Sequence, residues 1–91
     1  MAYQVEIGRQ AQTQLAKLDP TLVASVERKI IWLATNAETV VHRRLVGMPE
    51  DLDGLCKLRI GDYRVLYWVY PREKIIRLYR IQHRSEVYRS L

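Results

Sequence analysis

Cys56-Lys57-Leu58-Arg59-Ile60-Gly61-Asp62-Tyr63-Arg64-Val65-Leu66-Tyr67 reads as two β-strands joined by a two-residue turn at Gly61-Asp62. A hairpin closed there sets Ile60 opposite Tyr63, Arg59 opposite Arg64 and Lys57 opposite Leu66. Side chains alternate along a strand, so Cys56, Leu58, Ile60, Tyr63, Val65 and Tyr67 share one apolar face. Lys57, Arg59 and Arg64 share the other. Two arginines set directly across a strand pair repel each other. A chain built only to fold gains nothing from that clustering, whereas one that must hold a polyanion does.

Upstream of the hairpin, Tyr3-Gln4-Val5-Glu6-Ile7 alternates apolar and polar and reads as a short strand ended by Gly8. Ala11, Leu15 and Leu18 recur at helical spacing, which predicts an amphipathic helix over Arg9 to Leu18. Asp19-Pro20 supplies an N-cap followed by proline at the first helical position, and predicts a second helix from Pro20 to Thr35. Its apolar stripe is Leu22, Val26, Ile30 and Leu33, widened by Val23 and Ile31, with Asn36 as C-cap. Ala37 to Val46 has the character of an added helical turn, broken at Gly47-Met48-Pro49, and Glu50-Asp51-Leu52-Asp53-Gly54 is an acidic loop. Three strands follow, at 55–60, 63–70 and 74–82, with Pro71-Arg72-Glu73-Lys74 turning the last pair. Arg84 to Leu91 is a short tail. The expected fold is α+β: two N-terminal helices packed on one face of a four-stranded, largely antiparallel sheet, with residues 1–91 as one domain. The opposite face is expected to stay open, with Trp68, Arg77 and Tyr79 on it beside Lys57, Arg59 and Arg64.

Charge is unevenly shared. Residues 1–54 hold six Lys/Arg and seven Asp/Glu; residues 55–91 hold nine and three, a net +6 against −1. Such asymmetry suits a nucleic-acid binder, and also a merely basic solvated surface. No segment approaches the roughly 20 apolar residues of a membrane span. The first residues lack a secretory signal pattern, so no membrane association and a cytoplasmic location are expected. A lone cysteine excludes an internal disulfide, and Cys56 reads as a small buried hydrophobe.

With two histidines, one cysteine and no chelating pair, no metal site is expected, and no cofactor. A Gly-rich phosphate loop and a serine nucleophile elbow are absent from the sequence. What remains is the cationic strand face beside Arg80-Ile81-Gln82-His83-Arg84-Ser85-Glu86-Val87-Tyr88. Arginine grips phosphate through paired N–H donors and lysine as a point charge. Trp68, Tyr79 and Tyr88 offer rings for stacking on unpaired bases, or else pack under a partner or on the sheet. Arg77 is either an RNA contact or a solvated strand residue. Metal-independent RNA cleavage needs a base for the ribose 2′-OH, cations for the pentavalent phosphate and an acid for the departing 5′-oxygen. Arg59 and Arg64 should lower the pKa of Lys57, which then serves as the base or, still charged, clamps phosphate. His83 titrates near neutrality and is either the conventional acid or base or a structural residue. Arg84 stabilises transition-state charge, and Tyr88 orients the 2′-OH or relays a proton.

These residues resemble the RelE/ParE toxin superfamily, and its RelE side in particular. The resemblance spans almost the whole chain. It is carried by Leu45-Val46-Gly47-Met48-Pro49, Lys57-Leu58-Arg59, Gly61-Asp62-Tyr63-Arg64-Val65-Leu66-Tyr67, and His83-Arg84 with Tyr88. It implies a microbial-RNase-like fold and a type II toxin that enters the ribosomal A site. There it cuts messenger RNA by 2′-OH attack, leaving a 2′,3′-cyclic phosphate and a 5′-OH. On this resemblance Lys57 matches a catalytic lysine, Arg64 a phosphate-stabilising arginine, Arg84 a second catalytic arginine and Tyr88 the catalytic tyrosine. The RelE pattern has two more residues between that arginine and tyrosine. It also has a second lysine two residues before Lys57, where this chain has Leu55, so either Arg59, His83 or Arg77 makes up the charge or this member is a weaker or differently tuned nuclease. Implied partners are the ribosome, messenger RNA and a RelB-like antitoxin, acidic and partly disordered, with operator DNA reached only through that antitoxin. Two other functions compete: a ParE-like toxin that inhibits DNA gyrase without cleavage, and an inactive antitoxin-binding co-repressor.

Overall fold

The computed structural model of the chain describes residues 2–86. Its elements are β1 (Gln4–Ile7), α1 (Arg9–Lys17), α2 (Pro20–Thr35), β2 (Arg43–Arg44), a 3-10 turn at Glu50–Leu52, β3 (Cys56–Ile60), β4 (Tyr63–Tyr70) and β5 (Ile75–His83). The sheet order is β1-β5-β4-β3-β2, with β1 parallel to β5 and every other neighbouring pair antiparallel. α2 starts and stops on its expected residues. The Asp19 carboxylate accepts the Thr21 N–H at 2.8 Å, and Asn36 closes the helix by donating its backbone N–H to Trp32 O at 3.0 Å.

The helices bury one face of the sheet. Val26, Ile30, Leu33 and Ala34 of α2 and Ala11 of α1 pack with Cys56, Val65, Tyr67, Ile76, Leu78 and Ile81. Ile31, expected to widen the stripe, instead points to solvent at 65% exposure. A bulge in β5 keeps the pattern in register. Tyr67 lies opposite Leu78 and Leu66 opposite Arg80, so Tyr79 is the extra residue. Leu78 and Ile81 thereby both face the core. α1 crosses beside β5: the Gly8 N–H donates to Leu78 O at 2.9 Å and Gln14 Oε1 accepts the Ile81 N–H at 2.7 Å.

Two expectations are corrected. The sheet has five strands, because Arg43 and Arg44 pair with Lys57 and Cys56 and the Leu45 N–H donates to Leu55 O at 2.8 Å. Of the stretch 37–46, expected to add a helical turn, only residues 37–39 turn. Two adjacent exposed arginines at a sheet edge carry no apolar alternation, so nothing in their sequence marks a strand. The second correction concerns the face away from the helices, which is not open along its length. Leu45, Leu55 and Leu66 are buried there, with Met48, Trp68 and Tyr79 against them. The Trp68 indole N–H donates to Asp53 O at 3.1 Å, and its ring stands 5.2 Å from that of Tyr79. Two large aromatic residues side by side offer more apolar area than a small fold leaves in water, so residues 45–55 cover them.

Candidate functional site

The β3–β4 hairpin forms in the expected register: Ile60 opposite Tyr63, Arg59 opposite Arg64, Lys57 opposite Leu66. Gly61 takes φ +57° at the first central position of the turn, a conformation that favours glycine. β2 covers only the start of β3. Beyond it a groove of about 500 Å³ wraps the edge of β3, lined by Lys57, Arg59 and Arg64 and also by Lys29, Trp32 and Arg43. Five cations therefore line one hollow, and their shared potential favours a polyanion there. Lys57, Arg59 and Arg64 come from alternate positions of a strand pair, Arg43 from the register of β2 on Lys57, and Lys29 and Trp32 from the last turns of α2.

Arg64 is held in place by its own turn. Its Nη1 donates to Gly61 O at 3.1 Å and Tyr63 O at 2.9 Å. Arg84 reaches the same turn from β5, donating its backbone N–H to Asp62 O at 2.8 Å, with Nε 3.8 Å from the Asp62 carboxylate. Both members of that ion pair are well exposed, so the guanidinium is steered by the pair and its charge is only weakly offset. His83 lies opposite Tyr63, on the helix side of the sheet, with their rings edge to face at 5.5 Å. Its Nδ1 accepts the Ser85 N–H at 3.2 Å, so the neutral ring carries its proton on Nε2.

Other candidates stand apart from the groove. Arg77 lies beside Glu6 at 3.4 Å and lines a separate hollow with Gly8, Arg9, Trp68 and Tyr79. Trp68 and Tyr79 are half-buried in the second cluster. Tyr88 lies outside the described residues. Leu55, standing where the RelE pattern has lysine, is fully buried between Leu45 and Leu66. The additional cations at the groove are Arg43 and Lys29.

Lys29, Trp32, Arg43 and a buried polar chain were not singled out from sequence. One signal for Trp32 was there: it falls off the Leu22-Val26-Ile30-Leu33 stripe, so an amphipathic helix must show it to solvent. In the polar chain, the Tyr67 hydroxyl lies 2.7 Å from His42 Nδ1, and His42 Nε2 lies 2.8 Å from Ala37 O. A carbonyl can only accept, so Nε2 carries the proton and Nδ1 of the neutral ring accepts from Tyr67. Burial pushes the Tyr67 hydroxyl well above the usual phenol range, with the neighbouring Cys56 adding to the effect. Cys56 is fully buried, as expected, with Sγ 3.3 Å from Gly54 O. Burial likewise raises its thiol, and the charge of Arg44 draws it partly back. Among the described residues, no three His, Cys, Asp or Glu side chains gather to hold a metal ion, and no helix is long and apolar enough to cross a membrane.

Comparison with known proteins gives concordant results. The family model of the ParE toxin of type II toxin–antitoxin systems matches residues 5–88. The toxin RelG of Mycobacterium tuberculosis is 28% identical over 89 residues, covering 98% of this chain and 99% of its own. The crystal structure of the RelBE2 toxin–antitoxin complex from the same organism superposes with a TM-score of 0.76 at 27% identity, over 93% of this chain and 94% of that one. The intact RelBE complex of E. coli matches with a TM-score of 0.72 at 19% identity, over 90% and 96% of the two chains; this likeness is one of fold.

Proposed function

The chain belongs to the ParE toxin family of type II toxin–antitoxin systems, within the RelE/ParE superfamily, and from its likeness to RelE-type toxins and its cationic groove we propose that it is a ribosome-dependent endoribonuclease. It cuts messenger RNA in the A site. The ribose 2′-oxygen attacks the adjacent phosphorus, a 2′-O–P bond forms, and the P–5′-O bond breaks. The products are a 2′,3′-cyclic phosphate and a 5′-hydroxyl. Lys57 takes the 2′-OH proton or clamps the phosphate, and Arg64 and Arg84 hold the charge that builds on the pentavalent centre. His83 and Tyr88 are the candidates for protonating the 5′-oxygen or orienting the 2′-OH. Arg59 binds the flanking backbone. Trp68, Tyr79 and Arg77 belong to the RNA surface only if the message passes the second cluster as well.

The observation that carries this reading is the single groove lined by Lys57, Arg59 and Arg64, with Arg43 and Lys29 at its sides. Five cations around one hollow fit a ribose-phosphate chain better than an uncharged substrate. The proposed setting is the cytoplasm, where ribosomes are. The complexes of the similar RelE toxins contain antitoxins, and here the proposed antitoxin is acidic, RelB-like and partly disordered until bound. Its association rate should fall with added salt. Operator DNA is reached through it. Primer extension on a translated message after induction tests the nuclease. Cuts within codons that vanish with Arg84→Ala are expected; an intact message under full growth arrest would defeat the proposal.

A second reading remains for a member of the ParE toxin family, inhibition of DNA gyrase by binding and without cleavage. Loss of supercoiling by gyrase in the presence of the purified toxin, with messages uncut, would establish it.

A further inference from the structure

We infer that Lys29 and Trp32 form a nucleotide-binding subsite at the rim of the groove, the indole taking an unpaired base and the ammonium its phosphate. The subsite deepens the nuclease reading and rests on it. Trp32 is 42% exposed, an unusual position for the largest apolar side chain. The other tryptophan, Trp68, is packed in the second cluster with its N–H bonded to Asp53 O. Trp32 is therefore the indole that this fold leaves available.

Its surroundings suit a nucleotide. Lys29 Nζ lies 4.4 Å from the centre of the Trp32 ring. The two residues stand three apart on α2 and so on one side of the helix. The ammonium lies over one face of the indole, so a base stacks on the opposite face and its phosphate meets the Lys29 charge at the ring edge. Both side chains line the same hollow as Lys57, Arg59 and Arg64, so a strand whose phosphate sits among those cations continues toward the indole. An aromatic ring beside a cationic channel is the usual composition of a site for single-stranded nucleic acid, and it tolerates any base because every base has a π-face. An apolar protein segment would also cover Trp32 and the neighbouring Val41, which is 85% exposed. The lining cations favour the polyanion.

The test uses full-length toxin freed of its antitoxin and a 2′-O-methyl hexanucleotide, which binds and cannot be cut. A Trp68→Phe variant leaves Trp32 as the sole indole; if it folds poorly, the difference between wild type and Trp32→Phe isolates the same signal. The hexanucleotide should quench Trp32 emission, and an abasic strand of equal length should not. Lys29→Ala should weaken binding by about tenfold. On a translated message, Trp32→Ala should raise KM about tenfold with kcat nearly unchanged, and Trp32→Tyr should restore most of the loss, as stacking predicts. Absence of quenching, equal quenching by the abasic strand, quenching by an acidic peptide alone, or an unchanged KM would each overturn the subsite while leaving the nuclease reading intact. Quenching by the hexanucleotide without any cut message would uphold the subsite and remove the nuclease.

Discussion

Arg64 and Arg84 converge on one turn. Arg64 Nη1 donates to the carbonyls of Gly61 and Tyr63, and the Arg84 backbone N–H donates to the carbonyl of Asp62 between them. Two arginines distant in sequence are thus carried by one two-residue loop, and both are fixed against the β3–β4 hairpin that presents Lys57. Preorganised cations contribute most where charge develops in the transition state, and one such donor is commonly worth ~10²–10³ in rate. Arg64→Ala and Arg84→Ala should each lower message cleavage by about that factor and relieve growth arrest. Neither side chain fills core volume, so circular dichroism melting should remain cooperative. Full toxicity in both variants would sink the assignment.

Arg59 and Arg77 separate the groove from the rest of the basic surface. Arg59 is exposed and lines the groove, whereas Arg77 lies beside Glu6 in another hollow. If the message follows the groove, Arg59→Ala should weaken RNA binding by about tenfold, the scale of one charge-assisted contact. Arg77→Ala should leave binding nearly unchanged. Filter binding of a non-cleavable RNA over a range of salt concentrations distinguishes the two, and equal losses would mean that the RNA path extends past Trp68.

The hairpin was legible in the sequence because its signals are local: a two-residue Gly-Asp turn and strict alternation on either side. The helix from Pro20 to Thr35 was legible through its Asp19-Pro20 start and Asn36 end. β2 was not, since its pairing depends on Leu45 reaching Leu55, a contact between segments with no shared pattern. The cover over Trp68 and Tyr79 was hidden for the same reason. The cations of the hairpin could be placed on one face by counting; Arg43 and Lys29 reach the groove only through tertiary packing. The apolar stripe of α2 marks what the helix buries, and Trp32 lies outside that stripe, so its place at the groove follows only from the tertiary packing.

Packing beneath the sheet should be sensitive at two points of different character. Leu33 is fully buried at the centre of the helix–sheet core, and Leu33→Ala removes volume that its neighbours cannot refill, costing ~2–5 kcal/mol. At Gly8 the fault would be crowding. A Cβ there would lie 2.7 Å from Leu78 O, which is sheet backbone and cannot move aside cheaply. Gly8→Ala should therefore cost about 1–3 kcal/mol despite its small size. Urea denaturation of both variants checks the pair; a Gly8→Ala protein as stable as wild type would mean that α1 does not sit so close to β5.

Alkaline pH should loosen the fold through Cys56 and Tyr67. Both hold their protons more tightly when folded, because burial disfavours their anions. The ordinary values are 9.0 for the thiol and 10.0 for the phenol. Above them the unfolded chain releases protons that the folded chain retains, so the unfolded state binds fewer protons and the free energy of unfolding falls as pH rises. The stabilisation is fully present below about pH 9 and is lost progressively toward the raised folded values. Tyr67 also donates to His42, so Tyr67→Phe should lower stability at neutral pH by about 1–3 kcal/mol by leaving a buried acceptor unpaired. The same variant should flatten the alkaline decline, and Cys56→Ala should remove the thiol's share of it. Urea midpoints measured from about pH 8 to about pH 11 in wild type and both variants would show this; identical slopes in all three would mean that neither group titrates differently on unfolding.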